Sequence, residues 1–236
     1  MMEKPIQCRL FCLLFWLVIV AGNAICQELP PDTIKQRVAA CIVCHGNEGR
    51  AASDGFYPRI AGKPAGYLFN QLINFREGRR AFPAMTYMTD LQSEAYLREI
   101  ATYFSEQHPP YSAPQPARVS QDELERGRML VMFGDASKNV PACIACHGKT
   151  LTGLEPAIPG LPGLPQDYLN AQLGAWRSGA RHAASPDCMA QIAQRLTPSD
   201  ISVIVAWLAA QPVPETSAAA RSAADKLPMS CGSVTQ

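Results

Sequence analysis

The first feature in the hydropathy pattern is an unbroken apolar run from Leu10 to Ala21, preceded by the basic residues Lys4 and Arg9. This run is shorter than the roughly 20 residues that a helix needs to cross a bilayer. A basic start, a short apolar run and small residues behind it are typical of a secretory signal peptide. We therefore predict a signal peptide over residues 1–26, with an uncleaved anchor and a lipoprotein lipidated at Cys26 as the alternatives.

Apolar residues after the leader recur at helical rather than alternating spacing. In 67–75 and again in 168–176, Tyr, Leu, Leu and an aromatic residue fall at i, i+1, i+5 and i+8, on one face of a helix. Gly78 and Gly179 follow these two segments and are suitable helix ends. The pattern predicts one such helix in each half of the chain.

A second helix is predicted to close each half. The first closing helix ends at His108 and the prolines behind it, and the second begins with Thr197 as N-cap and Pro198 in the first turn. The residues of the two apolar stripes are Leu91, Leu97, Ile100, Ala101 and Phe104, and then Ile201, Ile204, Val205 and Leu208. A further helix is predicted from Ser120, with Glu123 in a capping box, to about Phe133. No segment reads as a convincing strand, so the predicted fold class is all-α.

The two halves are copies of one plan. When residue 58 is laid over residue 159, matching residues continue to Gly78 and Gly179. The segment PPYSAPQPAR between the copies is a semi-rigid, proline-rich linker. The predicted organisation is a first domain over 27–108, a linker over 109–118, a second domain over 119–212 and a C-terminal tail over 213–236.

The charge balance excludes one class of partner. The chain has 21 basic and 20 acidic side chains, with no run of like charge. Nucleic acid binding needs a basic surface, so no nucleic acid partner is expected.

Each half contains the same cysteine motif, CIVCHG at 41–46 and CIACHG at 143–148. C-x-x-C-H is the attachment signature of c-type haem: two thiols form thioethers with the porphyrin, and the histidine binds the iron. Cys41 and Cys44, and likewise Cys143 and Cys146, are therefore predicted to hold two covalently bound haem c groups. His45 and His147 are the predicted proximal ligands.

Zinc and a thioredoxin-like redox pair are the alternatives. In each motif the histidine directly follows a cysteine, whereas zinc ligand pairs usually leave at least two residues between them. A thioredoxin-like pair requires a βαβ pattern, which neither motif has around it. Both alternatives fit the sequence less well than haem.

A methionine occupies the same place in each repeat and is a candidate sixth ligand. Met85 lies 18 residues before Tyr103, and Met189 lies 18 before Trp207. We expect both on loops ahead of the closing helices, where the sulfur can reach the opposite face of the haem. Met88 is the local rival of Met85.

Other polar residues are candidates for contacts with each haem. Tyr67 and Arg76 in the first half, with Tyr168 and Arg177 in the second, can donate hydrogen bonds to haem propionates. The alternative is a helix face with a solvated arginine. His182, which has Ala81 at the matching position, is a further rival ligand for the second haem.

The nine cysteines include two outside the leader and the haem motifs, Cys188 and Cys231. An exported protein reaches an oxidising compartment, where two such thiols can pair. We predict a disulfide between them that holds the tail across the segment containing Met189.

These residues carry a family resemblance. CIVCHGNEG, PRIAGKPAGYLFNQLINFREGRR and MTYM ahead of LREIATYF resemble the first domain of the di-haem cytochrome c4 family, and the second half repeats the pattern. The similarity covers roughly residues 33–211. It implies two tandem class I cytochrome c domains, each wrapped around a covalent haem with His/Met ligation, and it assigns Met85 and Met189 as ligands.

The resemblance implies a periplasmic electron carrier, with peripheral membrane association, between a dehydrogenase or quinol-oxidising complex and a terminal acceptor such as an oxidase. The long linker and the Cys188/Cys231 tail depart from the family pattern. They indicate a specialised member, such as the cytochrome subunit or dedicated acceptor of a periplasmic dehydrogenase. A di-haem peroxidase is the remaining alternative and would be the only enzyme among these.

Overall fold

The computed structural model describes residues 31–51, 56–215, 217–221 and 226–234, so the predicted signal peptide lies outside the described residues. The first half contains five helices, α1 (Ile34–Arg37), α2 (Ala39–His45), α3 (Ala65–Arg76), α4 (Pro83–Thr89) and α5 (Glu94–Ser105). The second half contains α6 (Gln121–Phe133), α7 (Ile144–His147), α8 (Gln166–Ser178), α9 (Cys188–Arg195) and α10 (Pro198–Ala210). Short 3-10 turns lie at Asn47–Gly49 and Ala136–Lys138.

The helix ends confirm most of the sequence predictions. Ser120 caps α6 in a capping box with Glu123, and Thr197 caps α10 in a second box with Asp200. In each box the side chain at one end accepts from a backbone N–H at the other, which satisfies two otherwise unpaired donors. Helices α3 and α8 end just before glycines of positive φ, as predicted.

Three local predictions are wrong, those for the positions of Met85, Met189 and Leu91. Met85 and Met189 lie in helices α4 and α9 rather than in loops. Pro83 starts α4, and Asp187 caps α9 by accepting from the Ala190 N–H. Each short helix therefore has its own start signal, which the apolar pattern does not reveal.

Leu91 is not part of the closing helix of the first half, because α5 begins at Glu94 with Ser93 as its cap. The side chain of Leu91 is 92% exposed. A small antiparallel pair, β1 (Gly153–Leu154) and β2 (Ile158–Pro159), was also not predicted, since two-residue strands leave no periodic signal.

Each half has its own apolar core. In the first half α3 packs along α5, around buried residues that include Leu97 and Phe104. In the second half the matching helices α8 and α10 pack together, and α6 also packs along α10, where Val131 and Val205 are almost fully buried. The duplication seen in the sequence is therefore present in the packing.

The proline-rich linker is hydrogen-bonded to both halves of the molecule. The guanidinium of Arg59, in the first half, donates to the carbonyls of Pro109 and Pro110 at 2.6 and 3.1 Å. The backbone N–H of Gln115 donates to the Ala209 carbonyl, at the end of α10, at 3.0 Å. These bonds order the connection between the halves.

Across the described ranges no helix combines the length and the apolar character needed to cross a membrane.

A glycine permits the close crossing of α6 and α10. A Cβ added to Gly127 would collide with the carbonyl group of Val203, 2.8 Å from its carbon, and would lie 3.0 Å from Cβ of Trp207. We expect Gly127→Ala to lower the free energy of unfolding by roughly 1–3 kcal/mol, since an extra methyl group must push the two helices apart.

The matched control is Gly174→Ala in α8, where an added Cβ meets nothing within 4 Å. Alanine there is expected to stabilise the helix by about 0.5–1 kcal/mol. Urea unfolding of the haem-loaded proteins, followed by circular dichroism, measures both changes. Equal stability of the two variants would contradict the proposed crossing.

Candidate haem-binding sites

The first cysteine motif lies on α2. Cys41 and Cys44 are three residues apart on one turn, and His45 is the last residue of the helix. Gly46 then takes φ 75°, a conformation in which a side chain is strained. The chain therefore leaves the helix directly after His45, which fixes where the imidazole points.

The second motif repeats this arrangement on α7. Cys143 caps the helix, Cys146 lies within it, and His147 ends it before Gly148 at φ 83°. Burial raises the pKa of Cys143 to about 12, with a further contribution from Cys146. All four cysteines of the two motifs are unpaired and partly buried in this structure.

Both motif histidines are buried and oriented by one hydrogen bond. Nδ1 of His45 lies 3.0 Å from the Pro58 carbonyl oxygen, and Nδ1 of His147 lies 2.8 Å from the Pro159 carbonyl oxygen. A carbonyl only accepts, so Nδ1 carries the proton and Nε2 keeps a lone pair for a metal. Burial lowers the pKa of both imidazoles, which favours the neutral form that binds iron.

The zinc alternative is not supported. Within the described ranges no group of three or more His, Cys, Asp or Glu side chains lies close enough to hold a metal ion. Each motif supplies only its own two cysteines and one histidine, on separate halves of the molecule. A thioether-linked haem needs only those three residues and one further axial ligand.

The methionines differ in burial. Met85 and Met189 are partly buried, whereas Met88 is 41% exposed. The Thr89 hydroxyl donates to the Met85 carbonyl at 2.9 Å, which ties the backbone of Met85 to the end of α4. His182 is exposed. The burial pattern therefore favours Met85 over Met88 and Met189 over His182.

A polar cluster joins the two halves, and we call it the interface cluster: Gln71, Arg80, Tyr168, Gln172 and Arg181. Arg80 donates to Gln71, Tyr168 and Gln172 at 2.8–3.1 Å. Arg181 donates to Gln172 and Gln71 at 2.6 and 2.9 Å. Gln71 matches Gln172 in the repeat and Arg80 matches Arg181, so the cluster has approximate two-fold symmetry.

The interface cluster has two cations and no acid. Neither Arg80 nor Arg181 forms an ion pair with a described carboxylate, and Arg181 is only 3% exposed. Burial, and then the charge of Arg80, lower the pKa of Arg181. Buried cations without acidic partners are costly, so this surface is suited to anionic groups.

An unsatisfied donor lies beside the same cluster. The guanidinium of Arg181 stacks 3.7 Å from the Trp176 ring, and the buried Trp176 Nε1 has no described hydrogen-bond partner. Haem propionates are carboxylates that can accept from both residues. Arg181 and Trp176, at the boundary between the halves, would thus suit a haem propionate as an anionic partner.

The four predicted propionate contacts fall into two groups. Tyr168 belongs to the interface cluster, and Tyr67 lies beside Arg181. Arg76 instead donates to the Gln92 carbonyl and Arg177 to the Leu196 carbonyl, each at 3.1 Å, ahead of the two closing helices. The propionate role of all four stays a prediction.

Sequence reasoning missed Arg80, Arg181 and the Trp176 indole. The signal was available, because Arg80 and Arg181 match in the same register as the rest of the repeat. The sequence does not show that these arginines are buried, because their burial arises only where the two halves meet.

The structure joins Cys188 and Cys231 in a disulfide. Beyond it, the Gly232 N–H donates to the Pro186 carbonyl, and the buried Asn70 side chain, on α3, donates to the Ser233 carbonyl at 2.9 Å. The tail therefore crosses the segment that contains Met189 and reaches the first half.

Comparison with known proteins places these features in a family. The thiosulfate dehydrogenase electron acceptor of Thiomonas intermedia (strain K12) is 37% identical over 207 residues, which are 87% of this chain and 90% of that protein. Cytochrome c4 of Azotobacter vinelandii is 32% identical over 183 residues, 73% of this chain and 84% of the relative. No family model matches the chain.

Two solved structures are similar in fold. Reduced cytochrome c4 from Pseudomonas stutzeri matches with a TM-score of 0.65 at 28% identity, covering 75% of this chain and 95% of that one. A thiosulfate dehydrogenase (TsdBA) from Marichromatium purpuratum matches with a TM-score of 0.66 at 30% identity. The alignment covers 75% of this chain but only 37% of that longer one.

The duplicated helical fold and the two C-x-x-C-H sites define a di-haem c-type cytochrome that functions in electron transfer. The chain belongs to the cytochrome c4 family. Its fold class, two tandem class I cytochrome c domains, and its cofactors, two covalently bound haem c groups, are confirmed. When bound, the haem irons supply reversible one-electron chemistry.

The disulfide generates a prediction about the second half. Replacing both cysteines (Cys188→Ser with Cys231→Ser) should lower the free energy of unfolding by roughly 2–4 kcal/mol, because the bridge closes a long loop in the unfolded chain. Its sequence separation is 43 residues. Thermal unfolding of haem-loaded protein, monitored by absorbance, measures the loss.

The control for the double variant is the unmodified protein treated with a thiol reductant, with the haems of both samples held in the ferrous state, which should show the same loss of stability. Alkylation followed by intact-mass measurement tests the bridge directly. If both thiols alkylate freely in untreated protein, the disulfide is absent.

Proposed function

We propose that this cytochrome accepts electrons from a periplasmic thiosulfate dehydrogenase and passes them to a terminal acceptor such as an oxidase. The observation that carries the proposal is the 37% identity to a thiosulfate dehydrogenase electron acceptor along 90% of that relative. A second relative of the same name, from Stutzerimonas stutzeri (strain A1501), is 33% identical over 172 residues. The proposed location follows from the leader over 1–26, which is typical of export.

Two haems suit this role because a dehydrogenase commonly removes two electrons from its substrate, whereas each haem takes one. The proposed domains, 27–108 and 119–212, each carry one haem. The interface cluster holds the two halves together and supports electron exchange between them. A carrier built this way can accept two electrons and release them singly.

The proposed ligand sets follow the repeat. Cys41 and Cys44 attach the first haem, with His45 and Met85 as axial ligands. The second haem is attached by Cys143 and Cys146, with His147 and Met189 as axial ligands. The buried, Nδ1-protonated histidines and the partly buried methionines support both sets.

Filled sixth positions favour a carrier over a peroxidase. A peroxidase needs an open iron position and acid or base groups beside it. The histidines outside the motifs are His108 and His182, and His182 is exposed. We therefore propose that the chain transforms no substrate of its own.

The second candidate is a bound subunit of a dehydrogenase complex. It is favoured by the similarity to the thiosulfate dehydrogenase TsdBA, of whose longer chain 37% is matched. The chemistry at the haems is the same in both candidates. Size-exclusion chromatography after gentle extraction separates them, because a free carrier elutes alone and a subunit elutes with its dehydrogenase.

Direct electron transfer tests the donor. Oxidised, haem-loaded cytochrome is mixed with purified thiosulfate dehydrogenase and thiosulfate, and reduction is followed by the α-band absorbance. We expect full reduction of both haems at a rate that depends on the dehydrogenase concentration. The control omits the dehydrogenase and should show little reduction.

A rate unchanged by the dehydrogenase would reject thiosulfate dehydrogenase as the donor. Rapid reduction by a quinol-oxidising complex in the same assay would then identify the other class of donor considered from the sequence.

Substitution of the methionines tests the ligand sets. Met85→Leu and Met189→Leu should each remove half of the ferric charge-transfer band that reports methionine–iron bonding and produce a high-spin signal. Met88→Leu is the matched control and should leave the band intact, since Met88 is 41% exposed. Loss of the band in Met88→Leu instead of Met85→Leu would reverse the assignment in the first half.

A further inference from the structure

Lys63 is a buried amine that neither haem site accounts for. It lies two residues before α3 and is only 4% exposed. Lysine is almost never fully buried unless it is paired. The matching residue in the second half is Leu164, so the repeat carries this cation once.

The ammonium group of Lys63 crosses the boundary between the halves. Its Nζ donates to the Gly160 carbonyl, directly after β2, at 2.6 Å. Apart from Lys63 itself, the small cavity beside it is lined by uncharged residues, among them Tyr111, Thr152 and Ser217. None of these residues is acidic, and the charge that acts on Lys63 comes from another cation, Arg59. The amine therefore has no carboxylate partner in the described part of the chain.

The acceptor of Lys63 is next to the acceptor of the second proximal histidine. His147 Nδ1 lies 2.8 Å from the Pro159 carbonyl oxygen, and Gly160 is the following residue. Lys63 and His147 thus bind consecutive carbonyls of one segment, and the charge of Lys63 acts on the imidazole.

The first half has no equivalent cation at the matching position. His45 binds the Pro58 carbonyl in the same way, but Leu164 stands where a second lysine would be needed. The charge that acts on His45 is that of Arg80. Arg181, which matches Arg80 in the repeat, occupies the equivalent position in the interface cluster. Arg59 follows Pro58 and is also buried, with Gly160 at the matching position, so the two histidines lie near different cations, and Lys63 is the one that acts on His147.

We propose that Lys63 is a positioning residue for electron transfer: its ammonium group, held on Gly160, raises the reduction potential of the second haem relative to the first. Reduction adds one electron to an iron, and a nearby positive charge favours it most where burial limits screening. In the exchange one electron leaves the first haem iron, which becomes ferric, and enters the second, which becomes ferrous. The proposal rests on the two haem sites and not on the identity of the donor.

The test is a redox titration of Lys63→Met, a neutral variant of similar length, followed by absorbance. Burial lowers the pKa of Lys63 to about 7, with a further contribution from Arg59. The titration is therefore run at about pH 6, where an amine of that pKa is mostly protonated. The variant Met189→His shows which step of the titration belongs to the second haem, because it changes the proposed axial ligand of that haem alone.

We expect the potential of the second haem to fall in Lys63→Met while that of the first is unchanged. The equilibrium for electron exchange should shift about tenfold toward the first haem, which is about 59 mV for one electron. Lys63→Arg retains the charge and should restore the separation of the two potentials.

Lys149→Gln is the matched control. It removes the same charge two residues from His147, but Lys149 is exposed, so water screens it and the potential should change little. Sedimentation velocity checks that the halves stay paired in each variant. If Lys63→Met does not fold, Lys63→Gln provides the same loss of charge with a polar side chain.

Two results would overturn the proposal. The second potential could be unchanged in a folded, neutral variant, which means that Lys63 does not act on it. Both potentials could instead fall equally, with Lys63→Arg no different from Lys63→Met, which means that the amine only holds the halves together. Neither result would affect reduction by the dehydrogenase, so the proposed donor is tested separately.

Discussion

The hydrogen bond from each buried motif histidine to a proline carbonyl is the interaction on which the two sites depend. It joins the end of a short helix to a chain segment 12 or 13 residues further on, Pro58 in one half and Pro159 in the other. By fixing Nδ1 as the protonated nitrogen, it leaves Nε2 for the iron. The glycine that follows each histidine lets the chain turn away at once. A covalent haem can therefore meet a histidine whose orientation and tautomer are already set.

The boundary between the halves is governed by positive charge. Arg80, Arg181 and Lys63 are all at this boundary, and their described partners are carbonyls, amides and a tyrosine rather than carboxylates. Two of these cations are related by the repeat and suit the propionates of two haems. Lys63 has no matching cation, because Leu164 stands at that position of the second half. The related cations Arg80 and Arg181 take equivalent places in the two halves, whereas Lys63 acts on His147, which is the basis of the proposed difference in reduction potential.

Much of this protein was predictable because the signals are local. The C-x-x-C-H motifs, the N-caps at Ser120 and Thr197 and the glycines that end α3 and α8 act over a few residues, and the repeat supplies the haem motif and the terminal glycine twice. The short helices α4 and α9 and the pair β1–β2 were missed because they are too short to show a period. Leu91 was misplaced because an apolar residue just outside a helix fits the same spacing as one inside it.

The sequence by itself determined the cofactor chemistry, the two-fold repeat and the class of fold. The reason is that the haem-attachment motif and the helix periodicity depend only on residue type and spacing. The tertiary structure alone decided which polar residues are buried. Lys63 and Arg181 are ordinary surface types in the sequence, and Leu164 is an ordinary core type. Their roles depend on how the halves face each other, because burial and charge separation arise between segments far apart in the chain.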